Sequence, residues 1–130
     1  MDIDGKKILL VDDDMLNRIM ATIILKKHQV LISEAVNGEE AIQYLQNNLC
    51  DLVLMDLQMP IKDGYQATEI IRKQLKLNLP IIALTASNSE EDLEKCYKAG
   101  MNDYLFKPIN EAHFIQIISK WIHKNEDEIF

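Results

Sequence analysis

Asp51-Leu-Val-Leu-Met-Asp56-Leu-Gln-Met-Pro60 is the most informative segment of the chain for its fold. The apolar run over residues 52–55 is too short for a helix and is typical of a strand buried on both faces. Asp56 directly follows this run. In open parallel sheets ligands bind just beyond the carboxyl ends of the strands, so Asp56 lies where such a sheet would bind its ligand. Asp is also common where a strand simply ends in a turn, and this stretch alone leaves both interpretations open.

Four further strand–helix units surround this central strand. Residues 7–11 and 81–84 form two more continuous apolar runs, whereas residues 30–35 and 103–106 are shorter or mixed. Helix starts are indicated near Asp14, Asn37, Gly64, Ser89 and Asn110. Regular alternation of this kind predicts an α/β fold, a doubly wound five-stranded parallel sheet with helices on both faces. The three apolar strands should be central and the two mixed strands should be edges.

The first helix has an apolar spacing of its own. Its large apolar residues recur at the offsets of an amphipathic helix that runs to about His28: Leu16, Ile19, Met20, Ile23 and Ile24. We interpret Met15 and Met20 as packing residues of the core or loops rather than as a binding surface.

Composition limits the classes of function. The 130 residues fit one domain, predicted as residues 1–124 with a C-terminal tail at 125–130. A net charge of −7 argues against binding nucleic acid or an anionic membrane. Cys50 and Cys96 indicate free thiols in a reducing compartment. Without an apolar run of membrane-spanning length or a signal peptide, the sequence predicts a cytoplasmic domain.

Reactive side chains follow four of the five strands. The first strand is followed by residues 12–14, all aspartates that include Asp12 and Asp13. Asp56 follows the third strand, Thr85 the fourth and Lys107 the fifth. Parallel strands bring these residues to one rim, where clustered carboxylates repel unless a cation intervenes. Oxygen ligands favour Mg²⁺. A lysine and a hydroxyl beside the metal could hold the oxygens of a phosphoryl group, with Asp56 as nucleophile forming an acyl phosphate.

Four segments carry a resemblance to a known family. They are Ile8-Leu-Leu-Val-Asp-Asp13, residues 51–60 with Asp63-Gly64, Ile81-Ile-Ala-Leu-Thr-Ala86, and Gly100-Met-Asn-Asp-Tyr-Leu-Phe-Lys-Pro108. In order and separation they resemble the response-regulator receiver domains, the CheY-like family of two-component signalling. Residues 14–18 and 55–60 resemble the receivers of hybrid sensor histidine kinases in particular. The resemblance implies the flavodoxin-like strand order 2-1-3-4-5.

The resemblance also implies residue roles. Asp56 would accept a phosphoryl group from a phosphohistidine of a histidine kinase or histidine phosphotransfer protein. Asp13, Asp56 and the backbone carbonyl of Gln58 would bind Mg²⁺, with Asp12 acting mainly through water. Thr85 and Lys107 would contact the phosphoryl oxygens.

Further implied features concern switching. The Lys107–Pro108 peptide bond would be cis. Tyr104 would be the aromatic switch residue coupled to Thr85, and phosphorylation would change the surface of the fourth helix, fifth strand and fifth helix. The sequence leaves open whether phosphorylation produces a dimer. We expect no nucleic acid or membrane contact by this domain, and no catalysis beyond its own phosphorylation and dephosphorylation.

Three other functions share parts of this pattern. A phosphatase of the haloacid-dehalogenase type would need a second Asp where this chain has Gln58, which cannot transfer a proton. A flavodoxin-like FMN binder would need a Ser/Thr/Gly-rich turn after the first strand, where residues 12–14 would repel the phosphate. A pseudo-receiver that acts only as an interaction module is disfavoured by the intact set of Asp56, Thr85 and Lys107.

Overall fold

A computed structural model describes residues 3–128 of the chain, and strands and helices alternate along it. The strands are β1 (Lys7–Val11), β2 (Leu31–Ala35), β3 (Leu52–Asp56), β4 (Ile81–Thr85) and β5 (Asp103–Phe106). The helices are α1 (Met15–Lys27), α2 (Gly38–Asn47), α3 (Gly64–Lys73), α4 (Glu90–Ala99) and α5 (Glu111–Glu128). The fold class predicted from the sequence is confirmed.

The five strands form one sheet in the order β2-β1-β3-β4-β5, and every neighbouring pair is parallel. The predicted edges, β2 and β5, are the edges of this sheet. In register, Met55 of β3 lies between Val11 of β1 and Ala83 of β4. Residues just beyond Met55, Val11 and Ala83 therefore meet at the same rim.

The sheet is covered on both faces, which explains why its central strands are apolar without interruption. Leu52 and Leu54 pack into the core that includes residues of α1 and α5. Val53 and Met55 pack into the opposite core, with residues of α2, α3 and α4. Because successive strand residues point to opposite faces, each central strand must supply apolar side chains to both cores.

The apolar face of an amphipathic helix usually covers a core, but most of the apolar face of α1 does not. Its buried residues are Ala21 and Leu25. The large apolar residues are exposed by these fractions: Met15 66%, Leu16 62%, Ile19 46%, Met20 46% and Ile23 55%. The interpretation of Met15 and Met20 as packing residues is therefore wrong. Of the predicted apolar face, only Ile24 packs against the core, beside the buried Leu25. The small Ala21 lets α1 lie close to the sheet, and the five exposed side chains are left at the surface.

Helix α5 runs to Glu128, beyond the domain boundary predicted at residue 124. Glu126 in this last part forms an ion pair with Lys6, which immediately precedes β1. The boundary itself stays a prediction, and residues 1–2 and 129–130 of the predicted domain and tail lie outside the described residues. No helix within residues 3–128 is long and apolar enough to span a membrane.

Candidate functional site

Three charged side chains from three strand ends meet at the carboxyl rim of the sheet. Asp12 follows β1 and is 1% exposed, and Asp56 ends β3 and is 7% exposed. The Lys107 ammonium lies between them, with Nζ 3.1 Å from Asp12 Oδ2 and 3.4 Å from Asp56 Oδ1. The sequence predicted that these residues share a rim, and the strand order brings them into direct contact.

The electrostatic environment of Asp56 is unfavourable to its charge. The pKa of Asp56 is raised to about 6 as the net of three main effects: burial raises it most, the nearby Lys107 ammonium lowers it, and the Asp12 carboxylate raises it. One ammonium group therefore does not fully compensate two buried carboxylates. A further positive charge at this rim would stabilise the ionised form of Asp56.

The rim fits a small divalent cation. One carboxylate oxygen each from Asp12, Asp13 and Asp56 lies within 4.8 Å of the others, and Asp13 is exposed to solvent. Carboxylate oxygens with access to water are the donor set that Mg²⁺ prefers. The backbone of Gln58 is close to this group, since its amide donates to Asp56 Oδ1 at 3.4 Å. The residues present thus agree with the predicted Mg²⁺ site.

Gly64, the first residue of α3, lies against the end of β3, and it holds the loop between β3 and α3 close to the site. Its amide donates to the carbonyl of Leu57 at 3.0 Å. A Cβ atom at Gly64 would lie 2.3 Å from the carbonyl oxygen of Asp56, closer than any real contact. Only glycine lets α3 begin here without displacing the residue that carries the central carboxylate.

A cleft of about 460 Å³ opens above Asp56 and is lined also by Asp13, Gln58, Thr85 and Lys107. Thr85 ends β4 and is buried. Its hydroxyl accepts a hydrogen bond at 3.0 Å from the amide of Ser87 and so is held by the loop that follows β4. The hydroxyl therefore borders the cleft but is occupied by its own loop.

Tyr104 lies on β5, beside the strand that ends in Thr85. Its half-buried ring packs edge-on against Tyr97 of α4, with ring centroids 6.3 Å apart, and lies tilted against the ring of Phe106, with centroids 5.2 Å apart. Tyr97 and Phe106 are themselves exposed. The three rings form an aromatic surface on α4 and β5. The Lys107–Pro108 peptide bond that follows this strand is cis.

Two features of the site were missed from the sequence. A second cavity of about 320 Å³ lies beside the rim and is lined by Asn17 and Met20 of α1 together with Pro108 and Ile109. The apolar spacing of α1 was the available signal for it. The second feature is a hydrogen bond between Ser87 and Asp92, for which the sequence carries no distinctive pattern.

The sequence profile described as "Response regulator receiver domain" matches residues 8–119. The chain belongs to this family. Receiver domains are modules of two-component systems, and transfer of a phosphoryl group to an aspartate is the known role of the family. The recognition made from the motifs is thereby confirmed.

The similar sequences are receivers within much longer kinases. The chain is 39% identical to part of hybrid signal transduction histidine kinase B of Dictyostelium discoideum, covering 91% of this chain and 7% of the kinase. It is 38% identical to part of the sensor protein GacS of Pseudomonas syringae pv. syringae, covering 88% of this chain and 13% of that protein. The receiver therefore spans only a small part of these relatives.

Solved structures agree with the fold over nearly the full chain. The receiver domain of sensor histidine kinase PA1611 from Pseudomonas aeruginosa, solved with a magnesium ion in its active-site cleft, has a TM-score of 0.84 and 37% identity, covering 92% of this chain and 98% of that one. A response regulator from Chloroflexus aurantiacus has a TM-score of 0.87 and 30% identity, and the match covers 92% of this chain and 99% of that one.

Proposed function

We propose that Asp56 of this receiver domain accepts a phosphoryl group from a phosphohistidine in a two-component phosphorelay. The observation that carries the proposal is the position of Asp56: a nearly buried carboxylate at the floor of an open cleft, between a second carboxylate and the Lys107 ammonium. Asp12 is more deeply buried and bonded to Lys107, and Asp13 is exposed. Asp56 thus has the environment of a shielded nucleophile that a donor can still reach.

In the proposed transfer, an oxygen of Asp56 forms a bond to phosphorus while the phosphorus–nitrogen bond of the phosphohistidine breaks and its electron pair returns to the imidazole. The Lys107 ammonium would donate hydrogen bonds to the phosphoryl oxygens, and Thr85 would bind another of them. Asp13, Asp56 and the carbonyl of Gln58 would hold Mg²⁺, with Asp12 acting through water. The bound cation would offset the negative charge that the site and the phosphoryl group bring together.

The donor would be a histidine kinase or histidine phosphotransfer protein that docks on α1. Met20 of α1 lines the apolar cavity beside Lys107 and Pro108. Within one turn of Met20 on the same helix lie three more exposed apolar side chains: Leu16, Ile19 and Ile23. Together they make an apolar surface at the edge of the cleft. A helix carrying a phosphohistidine could lie on this surface and present its ring to Asp56.

Acidic substitution of this surface separates docking from chemistry. Ile19→Glu should slow phosphorylation by a histidine phosphotransfer protein that is active on the wild type, while phosphorylation by acetyl phosphate stays unchanged. Leu49→Glu is the matched control, since Leu49 is 83% exposed but precedes β3 at the opposite end of the sheet. Equal rates for both variants with the protein donor would exclude docking on α1.

The proposed output is a change at the surface of α4, β5 and α5. Tyr104 would follow Thr85 inward after phosphorylation, leaving its contacts with Tyr97 and Phe106. A phosphorylation-dependent dimer stays a prediction, as does a cytoplasmic location. We propose no turnover of external substrates, because Gln58 supplies no acid where a phosphatase of the haloacid-dehalogenase type needs one.

Intact-mass measurement tests the phosphoacceptor. Wild type incubated with Mg²⁺ and acetyl phosphate should gain one acid-labile phosphoryl group, and Asp56→Asn should gain none. If the Asn variant gains the same mass, Asp56 is not the acceptor.

A further inference from the structure

The loop between β4 and α4 is tied to the helix that follows it. The Ser87 hydroxyl donates to Asp92 Oδ2 at 2.7 Å and accepts from the amide of Ser89 at 3.3 Å. Ser89 in turn caps α4, because its hydroxyl accepts from the amide of Asp92 at 3.0 Å. The loop conformation is thereby fixed to the first turn of α4.

The same loop holds the hydroxyl that borders the cleft. The amide of Ser87 donates to Thr85 Oγ1 at 3.0 Å. Thr85 is also fixed through its main chain, since its carbonyl accepts from the amide of Lys107 at 2.8 Å. A continuous set of hydrogen bonds therefore runs from Thr85 through Ser87 to Asp92.

This set of bonds opposes a movement that phosphorylation requires. If the Thr85 hydroxyl turns to bind a phosphoryl oxygen, the amide of Ser87 loses its acceptor. An amide without a partner is costly unless it can reach water or another acceptor. The Ser87–Asp92 bond restricts that adjustment because it holds the loop in place, and a hydrogen bond to a carboxylate is stronger than a neutral one.

We propose that the Ser87–Asp92 hydrogen bond is a latch that stabilises the resting position of Thr85, which makes Asp92 a positioning residue for the reaction at Asp56. This inference rests on the proposed function. Breaking the latch should raise the population of the binding-competent loop, and apparent affinity for a phosphoryl group rises in proportion to that population.

A different role for Asp92 has to be separated from the latch. Acidic residues in a first turn stabilise a helix through its dipole, and Glu90, Glu91 and Asp92 all lie in the first turn of α4. Glu91 is exposed, and like Asp92 it places a negative charge in the first turn of α4, but Ser87 bonds to Asp92 and not to Glu91. Glu91→Ala is therefore the matched control for Asp92→Ala.

The test is the affinity for beryllofluoride, a phosphoryl mimic, measured by calorimetry with saturating Mg²⁺. Asp92→Ala should bind about three- to tenfold more tightly than wild type, which corresponds to the net loss of one ordinary hydrogen bond. The affinity of Asp92→Asn should lie between those of wild type and Asp92→Ala, because the Asn amide oxygen can still accept a hydrogen bond from Ser87. Glu91→Ala should stay within about twofold of wild type. Loss of helix stability alone would not tighten binding.

The outcomes separate this inference from the proposed function. Binding to wild type that is absent in Asp56→Asn establishes the site. With the site established, an affinity of Asp92→Ala equal to that of Glu91→Ala, or weaker than wild type, overturns the latch alone. Failure of wild type to bind overturns the proposed function and the latch with it. If Asp92→Ala does not fold, Asp92→Asn decides: tighter binding than wild type supports the latch, and unchanged binding overturns it.

Discussion

Replacing Asp56 by Asn should stabilise the metal-free protein at neutral pH. The pKa of Asp56 is raised from 3.8 to about 6, chiefly by burial. A tenfold change in an ionisation constant corresponds to about 1.4 kcal/mol, so the ionised carboxylate costs at most about 3 kcal/mol. The raised pKa already includes the attraction of Lys107, and the Asn amide group in turn needs hydrogen-bond partners at this buried position. We therefore expect a net gain of about 1 to 3 kcal/mol in the free energy of unfolding at pH 7.5.

The sign of the pH dependence follows from the raised pKa. As pH rises from about 4 to about 6, the unfolded chain releases this proton before the folded protein does, so the contribution of Asp56 to stability falls and then levels off. Asp56→Asn has no such proton. The stability difference between variant and wild type should therefore be small near pH 4 and reach its full value above pH 6.5.

Urea unfolding in EDTA at a series of pH values, followed by circular dichroism, measures this difference. The exposed acid Glu91 provides the control: Glu91→Gln removes a charge without relieving burial and should change stability by no more than about 0.5 kcal/mol. Saturating Mg²⁺ should narrow the gap between Asp56→Asn and wild type, because a cation that binds the native site stabilises it by mass action. A pH-independent gap, or a less stable variant at pH 7.5, would show that burial of the Asp56 charge does not destabilise the protein.

Three further outcomes are expected. Asp13→Ala should weaken Mg²⁺ binding more than Asp12→Ala, because Asp13 is the proposed direct ligand; equal losses in a titration would contradict this. Gly64→Ala should lower the free energy of unfolding by about 1 to 3 kcal/mol and slow phosphorylation by acetyl phosphate, since the new Cβ would displace the backbone of Asp56; unchanged urea midpoint and rate would exclude that clash. Tyr104→Ala should still accept phosphate, yet lose most of the amide NMR shifts that beryllofluoride causes in α4 and β5, and a full response would show that the ring is only packing.

Much of the fold and the site could be predicted because it depends on local patterns and one topological rule. Continuous apolar runs predicted the central strands, since a strand covered on both faces has no polar side. The alternation of strands and helices then predicted a parallel sheet, in which the carboxyl ends of all strands lie at one rim. This reasoning alone grouped Asp12, Asp56, Thr85 and Lys107, which the strand order does place together.

The features that could not be predicted depend on three-dimensional context. Periodicity identified an apolar face on α1, but it does not show whether that face covers a core. The burial of Ala21 and the exposure of Ile19 show that most of it does not. The Ser87–Asp92 bond depends on the conformation of a loop, and Ser and Asp occur commonly near helix starts without such a bond.

Borohydride reduction identifies the residue that carries the acyl phosphate, which we propose is Asp56. Borohydride reduces an acyl phosphate to an alcohol and leaves free carboxylates intact. After incubation with Mg²⁺ and acetyl phosphate, reduction and proteolysis, peptide mass spectrometry should find homoserine at position 56 and unmodified Asp12 and Asp13. Homoserine at position 12 or 13, or its absence from position 56 in protein shown to be phosphorylated, would contradict the assignment.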